Sequence, residues 1–301
     1  MASLKYRMTE KIFRHTVKSI MSGTKLEFMD FVFSMTSKRK LEVPSQRWQA
    51  RYEYREVERG EQTIIQIGPK GKEADKLLFY MTGDGLYEPP AVSDIEMCGD
   101  IADSTGRMVW LVSYPLLPMN TPASILKSTA DAYKEAVEKY GADNITLMGL
   151  SCGGNLCLAL CHYLREHDPD VPLPSGIILQ SAPLRLPPTA GQIEEMRKIE
   201  PHDCVQSDIY FMYVADIVSF KGFEYLMRPM DHDMQGFPPI SIFYGSYEMA
   251  YAYLEEFKEK CAREGVSLDV HVGEGMMHNW CLLGNTPEAQ QVRKEYYRIL
   301  Q

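Results

Sequence analysis

The sequence predicts an α/β fold in which a mostly parallel, doubly wound sheet has helices on both of its faces. Strand-like and helix-like segments alternate through most of the chain, which is the arrangement that builds parallel sheets. Two segments typical of antiparallel strands come before this alternation. With 301 residues, of which 45% are hydrophobic, the chain can bury a sizeable core without disulfides or metal ions.

Residues 1–42 precede the alternation and read as two amphipathic helices, because apolar residues recur at helical spacing in each half. The residues "SGT" at 22–24 separate these helices, and Pro44 closes the segment. We therefore predict that residues 1–46 form a helical unit that is distinct from residues 47–301.

The sheet and its helices are predicted from residues 52–300. The helix at 122–141 has clear boundary signals, with proline at its start and glycine at its end. Residues 183–238 interrupt the alternation with polar, proline-containing and aromatic-rich sequence, which predicts an insertion above the C-terminal edge of the sheet. The predicted strands are 52–58, 62–68, 76–82, 107–114, 145–150, 176–182, 239–245 and 267–273, and the predicted helices are 122–141, a segment after the fifth strand that runs through Leu164, 250–265 and 287–300.

Composition and charge disfavour several classes of partner. The formal net charge of −9 and the pI near 5.4 disfavour attraction to nucleic acids and to anionic membranes. No apolar run approaches the ~18 residues of a membrane span, and the N-terminal residues lack the apolar region of a signal peptide. The seven cysteines include no CxxC pair and fit a reducing compartment. We expect a cytoplasmic protein that binds neither nucleic acid nor membranes.

A serine, a glutamate and a histidine each follow a predicted strand. Ser151 directly follows the fifth strand, Glu248 follows the seventh and His278 follows the eighth. In open α/β sheets the functional residues gather beyond the C-terminal ends of the strands. The chain order Ser, Glu, His is that of α/β-hydrolases and differs from the order on other serine-hydrolase folds.

These three residue types complement one another chemically. A serine hydroxyl is a poor nucleophile at neutral pH unless an imidazole accepts its proton, and the imidazole needs a carboxylate to fix its tautomer. Glycines flank the serine on both sides, which permits a strained turn from strand to helix. The glycines in this segment are Gly149, Gly153 and Gly154.

Two further segments make the resemblance more specific. "YMTGDGLY" (80–87) resembles the His-Gly-Gly-Gly loop, and "GLSCGGN" (149–155) the nucleophile elbow, of the hormone-sensitive-lipase-like family of α/β-hydrolases, which includes bacterial carboxylesterases and acetyl esterases. "YPLLP", "GFPPISIFYGSYE" and "GMMHNW" fall where that family has its corresponding blocks. The resemblance covers roughly residues 50 to 300, and the N-terminal helices resemble the family's cap. It implies an α/β-hydrolase catalytic domain at 47–301, with a helical cap made by residues 1–46 and the insertion at about 183–238.

The resemblance implies a role for each of these residues. Ser151 would be the nucleophile, His278 the general base and Glu248 the acid that orients it. The family needs no cofactor for this chemistry, and none is expected here. The residues whose backbone amides would form the oxyanion hole are Asp84, Gly85 and Cys152, and Gly83 would shape that loop.

The chain also departs from the family pattern. Thr82 replaces the usual histidine, Asp84 replaces a glycine, and Leu150 stands where an acidic residue is common. The resemblance predicts hydrolysis of short-chain carboxylic esters through an acyl-enzyme. Two alternatives stay open, namely a hydrolase of small amides or formamides, and a catalytically weak ligand-binding protein on the same scaffold. Phe28, Phe31 or Phe33 would wall the substrate pocket, although helical periodicity fits a core role equally well.

Two further expectations concern metal ions and assembly. The segments "HDMQ" and "PHDC" offer no second ligand at helical spacing, so no metal site is predicted. The strand at 267–272 is predicted to lie at the sheet edge, where it could pair with its copy in a homodimer.

Overall fold

An eight-stranded, mostly parallel sheet organises the chain. The computed structural model describes residues 2–21, 24–37, 41–199 and 218–301. The strand order is β1-β2-β4-β3-β5-β6-β7-β8, with antiparallel pairing between β1 and β2 and between β2 and β4, and parallel pairing elsewhere. The predicted fold class is thereby confirmed. The strands are β1 (Tyr52–Arg59), β2 (Gln62–Pro69), β3 (Leu77–Met81), β4 (Met108–Ser113), β5 (Ile145–Leu150), β6 (Gly176–Gln180), β7 (Ile240–Gly245) and β8 (Leu268–Gly273).

Helices flank the sheet on both faces. Most of the longer helices fall where the sequence predicts them, within a few residues at each end. The helices α3, α4 and α7 were not predicted. The helices are α1 (Leu4–Met21), α2 (Lys25–Ser37), α3 (Gln46–Gln49), α4 (Val92–Thr105), α5 (Pro122–Tyr140), α6 (Cys152–His167), α7 (Ala190–Ile199), α8 (Leu254–Glu264) and α9 (Pro287–Leu300).

The central strands are buried on both faces, and their side chains alternate between two cores. In β3, Phe79 packs in the core that contains α5, α6 and α8, whereas Leu78 and Tyr80 pack in the core that contains α4 and α9. This alternation is the two-residue period of a strand. Because all three side chains are fully buried, β3 carries a continuous apolar sequence rather than an alternating one.

The two N-terminal helices contact loops at the C-terminal edge of the sheet. The hydroxyl of Tyr6 in α1 accepts a hydrogen bond of 2.7 Å from the amide of Met277. The hydroxyl of Thr36 in α2 lies 3.2 Å from the carbonyl of Tyr87 and 2.9 Å from that of Leu117. The described parts of α1 and α2 therefore contact the loops that carry the candidate site residues. The role of residues 1–46 as a cap stays a prediction.

Part of the predicted insertion at 183–238 is also described. Arg185 joins it to α8, because its guanidinium makes a bidentate contact of 2.7 Å with Glu256 and a second contact of 2.5 Å with Asp231. Such planar, two-pronged pairing is the geometry that arginine favours with carboxylates. Residues 200–217, which include the "PHDC" segment, lie outside the described residues.

Strand β8 forms one edge of the described sheet, as predicted, since β7 is its neighbour on one side. Homodimer formation through this edge stays a prediction. Across the described ranges, no helix combines the length and the apolar character needed to cross a bilayer. None of the six cysteines in these ranges forms a disulfide, and Cys204 lies outside them.

Phe79→Ala tests the importance of the central strand. The side chain is fully buried and its ring packs edge-on against Tyr133 at a centroid distance of 5.9 Å. We expect the free energy of unfolding to fall by about 3–5 kcal/mol, because the substitution removes buried area and leaves a cavity. Urea denaturation measures the change. Leu26→Ala, at a side chain that is 68% exposed, serves as the control and should change it by less than about 0.5 kcal/mol. Equal effects of the two substitutions would contradict the assigned core.

Candidate active site

Ser151 lies on a sharp turn between β5 and α6. Its backbone angles are φ 50° and ψ −125°, in a region that residues other than glycine rarely adopt. The Ser151 amide donates to the carbonyl of Gln180 at 2.8 Å, and its own carbonyl accepts from the amide of Gly154 at 2.9 Å. Ser151 is partly exposed between two buried neighbours, Leu150 and Cys152. The turn thus leaves the Ser151 side chain partly accessible, although the residues on either side of it are buried.

The three glycines around Ser151 lie where backbones approach closely. A Cβ atom on Gly149 would stand 2.1 Å from the carbonyl oxygen of Gly153, and one on Gly153 would stand 2.3 Å from that of Met81. A Cβ atom on Gly154 would stand 2.6 Å from the Cβ atom of Ala182. Real Cβ atoms do not approach other atoms this closely, so the start of α6 can pack on β3 and β5 only without side chains at these positions.

The loop after β3 lies directly beside the serine. A Cβ atom on Gly83 would stand 2.6 Å from the Cβ atom of Ser151 and 2.3 Å from the carbonyl oxygen of Leu150. The next residues, Asp84–Leu86, form a 3₁₀ turn in which Gly85 has φ 59°. Cys152 is the first residue of α6, where the helix dipole places partial positive charge. Gly83 thus places the start of the loop after β3 beside Ser151, and Cys152 is the next residue along the chain. The role of the Asp84, Gly85 and Cys152 amides as an oxyanion hole stays a prediction, and the Asp84 side chain lies outside the described part of the chain.

Tyr114 holds the loop after β3 through two hydrogen bonds. Its hydroxyl, on a side chain that is 1% exposed, lies 2.6 Å from the carbonyl oxygen of Thr82 and 3.2 Å from that of Gly83. Thr82 itself is buried, at the position where the resembling family has histidine. Tyr114 therefore holds the loop through the backbone carbonyls of Thr82 and Gly83. These hydrogen bonds do not involve the side chain of Thr82, so they do not depend on the replacement of histidine at this position.

Glu248 and His278 form a buried pair. Nδ1 of His278 lies 2.7 Å from Oε2 of Glu248. The carboxylate is completely buried, and the histidine side chain is 13% exposed. The amide of Gly245 donates to the other carboxylate oxygen at 2.7 Å. A buried carboxylate is tolerated when such donors surround it, and here they fix its orientation toward the imidazole.

The loop that carries His278 packs tightly against neighbouring elements. A Cβ atom on Gly245 would stand 2.1 Å from the carbonyl oxygen of Met276, so the end of β7 touches this loop directly. On the other side the amide of Met277 donates to the buried hydroxyl of Tyr6. Sequence reasoning did not single out Tyr6, since nothing local in α1 indicates a contact 271 residues away.

Ser181 is a second residue that sequence reasoning missed. It follows β6 directly and has φ 56°, which is rare for serine. Its hydroxyl lies 3.0 Å from Oε1 of Glu248 and accepts from the amide of Asn279 at 3.1 Å. The sequence analysis placed Ser181 inside a strand predicted at 176–182, so the criterion of a polar side chain just beyond a strand did not select it. The strand ends at Gln180, and this earlier end is what makes Ser181 a residue of the sheet edge.

The described residues contain no group of three or more histidine, cysteine, aspartate or glutamate side chains placed to hold a metal ion.

Comparison with known proteins agrees with this geometry. Residues 78–282 match a family described as α/β hydrolase fold. An esterase from Acinetobacter venetianus is 28% identical over 238 residues, which cover 74% of this chain and 76% of that protein. A triacylglycerol lipase from Mycobacterium tuberculosis is 21% identical over 222 residues, and the chain spans only 45% of that relative's length while 73% of this chain is covered.

Structural similarity extends over the whole sheet and its helices. The crystal structure of an esterase from the bacterial hormone-sensitive lipase family superposes with a TM-score of 0.81 at 20% sequence identity, covering 100% of this chain and 98% of that one. The predicted resemblance to hormone-sensitive-lipase-like α/β-hydrolases is confirmed. Since the family match includes 205 of the 301 residues, from 78 through 282, the chain belongs to the α/β-hydrolase fold family.

Proposed function

We propose that the chain is a carboxylesterase that hydrolyses short-chain esters through an acyl-enzyme on Ser151. The observation that carries the proposal is the buried 2.7 Å contact between His278 and Glu248, at the same sheet edge as a serine in a strained turn. The names of the relatives, an esterase and a lipase, support ester chemistry.

In the proposed first step, the Ser151 hydroxyl attacks the ester carbonyl carbon while His278 accepts its proton. The Glu248 carboxylate accepts the Nδ1–H of the ring, which leaves Nε2 as the basic nitrogen and stabilises the imidazolium that forms. His278 then donates this proton to the departing alkoxide, so that an alcohol leaves and the acyl group stays on the serine.

Oxyanion stabilisation in this step is assigned to the backbone amides of Asp84, Gly85 and Cys152. Preorganised amides of this kind act where negative charge develops, and they need no reorientation during the reaction. In the second step water attacks the acyl-enzyme, His278 accepts its proton and returns it to Ser151 as the acid is released. No cofactor enters, because the chain supplies the nucleophile, the base and the donors.

The proposed preference for short acyl chains is supported by aromatic side chains beside the loop at 83–86. Phe28, Phe31 and Tyr87 form a cluster with ring centroids 6.2 to 6.5 Å apart. Phe28 is buried, whereas Phe33 is 42% exposed and is therefore the weaker candidate for a pocket wall. Phe31 and Tyr87 are only partly buried, so we assign the pocket wall to them.

The proposed location is the cytoplasm. The six described cysteines are all buried thiols, which fits a compartment where disulfides do not form. The substrate partner would be a small ester rather than a macromolecule.

Ser151→Ala tests the nucleophile. We expect kcat for p-nitrophenyl acetate and butyrate to fall at least about a thousand-fold, because the acyl-enzyme cannot form. Initial rates with the acetate, butyrate and octanoate esters measure both the loss and the chain-length preference. Ser128→Ala is the matched control, since that hydroxyl donates locally to the Ile125 carbonyl within α5. Activity that survives Ser151→Ala would refute the proposed nucleophile, and faster turnover of a matched amide than of the ester would favour the amidase alternative.

Glu248→Gln tests the acid. The amide keeps the volume of the side chain but cannot accept from Nδ1–H, from the Gly245 amide and from Ser181 at the same time. We expect kcat/KM to fall by roughly 10³–10⁴ without loss of the fold, as expected when the imidazole takes the wrong tautomer. Circular dichroism checks the fold of the variant. A loss of less than tenfold would mean that another group orients His278.

Phe31→Ala tests the pocket wall. Shortening this side chain should enlarge the acyl pocket and so raise kcat/KM for the octanoate ester relative to the butyrate ester by several-fold. In an apolar pocket the fit of a single methylene group changes kcat/KM by about tenfold or more. Phe33→Ala, at the exposed neighbour, should leave the ratio unchanged. Equal ratios in all three proteins would remove Phe31 from the acyl site.

A further inference from the structure

The Ser181 hydroxyl is the junction of three hydrogen bonds. It accepts from Nε2 of Gln180 at 2.6 Å and from the amide of Asn279 at 3.1 Å, and it lies 3.0 Å from Oε1 of Glu248. A serine hydroxyl has two lone pairs and one proton. Because both lone pairs are occupied by donors, the single proton is directed at the Glu248 carboxylate.

The same direction of donation continues outward from the site. Tyr296 in α9 donates its hydroxyl proton to Oε1 of Gln180, and the tyrosine, the glutamine and the serine are all completely buried. The donors therefore run from Tyr296 through Gln180 and Ser181 to the carboxylate. Hydrogen bonds in such a buried series reinforce one another.

The backbone at Ser181 adopts a conformation that is strained for a residue with a side chain. Serine adopts φ 56° here, and its amide donates to the carbonyl of Phe243 at 2.8 Å, at the end of the neighbouring strand β7. Glycine would adopt this conformation without strain. A strained serine persists where the surrounding structure holds it, and such residues cluster at functional sites.

We propose that Ser181 is a positioning residue for ester hydrolysis, one that holds Oε1 of Glu248 while Oε2 holds His278. Ser181 also accepts a hydrogen bond from the amide of Asn279, the residue that follows His278. One hydroxyl therefore contacts both the carboxylate of Glu248 and the backbone next to His278. Ser181 acts through Glu248 rather than on the substrate. This inference rests on the proposed function for its kinetic tests, and on the hydrogen-bond geometry for its spectroscopic test.

Three other titratable groups lie close enough to interact with Glu248, namely Tyr244, Cys281 and Tyr296. Burial raises the pKa of the Cys281 thiol to about 12 and the pKa values of both tyrosines well above their usual range. All three stay protonated at neutral pH. The acidic limb of the kcat/KM profile is therefore assigned to protonation of the proposed general base, His278.

Ser181→Ala removes the hydroxyl and leaves the nucleophile, base and acid in place. We expect kcat for p-nitrophenyl butyrate to fall about tenfold with little change in KM, since a hydrogen bond to a charged group is lost. We also expect the acidic limb of kcat/KM to move to higher pH. A carboxylate with one donor fewer keeps more negative charge toward the imidazole, which favours the imidazolium.

Ser181→Gly separates the hydroxyl from the backbone strain. It also lacks the hydroxyl but suits the positive φ, so it should show the same pH shift as Ser181→Ala. A glycine variant with the wild-type profile would overturn the proposal, because the backbone alone would then account for the effect of alanine.

Tyr296→Phe tests the outer end of the series with a smaller change. It should move the acidic limb in the same direction as Ser181→Ala but by less. Tyr133→Phe is the matched control, since it removes another buried tyrosine hydroxyl, one that donates to the Pro172 carbonyl at 2.9 Å. The control should leave the pH profile unchanged, and a shift of equal size in both tyrosine variants would overturn the proposal.

Proton NMR of protein labelled with ¹⁵N-histidine distinguishes this inference from the proposed function. The Nδ1–H proton of His278 is assigned by its disappearance in His278→Ala, and its resonance should shift in Ser181→Ala. A wild-type protein without esterase activity would contradict the proposed function, while the NMR shift would still support the role of Ser181. An unchanged resonance in Ser181→Ala would overturn that role whatever the activity.

Discussion

The hydrogen bond between Glu248 and His278 is the constraint on which the arrangement of the site depends. A completely buried carboxylate is costly to desolvate, and it is retained here because donors from three separate segments surround it. Those segments are the end of β7, the residue after β6 and the loop after β8. The parallel sheet places these strand ends side by side, so the topology itself supplies the donors. The same sheet edge also carries the turn at Ser151 and the loop after β3.

Close backbone contacts bind this edge into one unit. At four glycines of this edge, a Cβ atom would stand within about 2.3 Å of a backbone carbonyl oxygen. These glycines are Gly83, Gly149, Gly153 and Gly245. Side chains at these positions would force the strand ends apart. The positions of Ser151, of the loop after β3 and of the loop that carries His278 are therefore coupled through backbone packing as well as through hydrogen bonds.

The sequence predicts the strands well and the contacts between distant segments poorly. The fifth predicted strand coincides with β5, because its apolar run ends at a glycine-rich turn. Ser151, Glu248 and His278 could be selected because each follows a strand. Helix α4 was missed, since its sequence mixes Ser, Asp, Gly and Thr, and its N-terminus is held by Asp94, whose carboxylate accepts from the Ala91 amide and from the Tyr80 hydroxyl. The contacts of Tyr6 and Tyr114 depend on which loops meet in space, and no local pattern carries that information.

The hydrogen bond between Tyr6 and Met277 also has a consequence for how the site is assembled during synthesis. The two residues are separated by 271 positions, so the bond joins the first helix to the loop after the last strand of the sheet. Contacts between distant positions form slowly, because the intervening chain must first be ordered. All eight strands precede His278 in the chain. The proposed base and its contact with the proposed acid can therefore form only after every strand of the sheet has been translated.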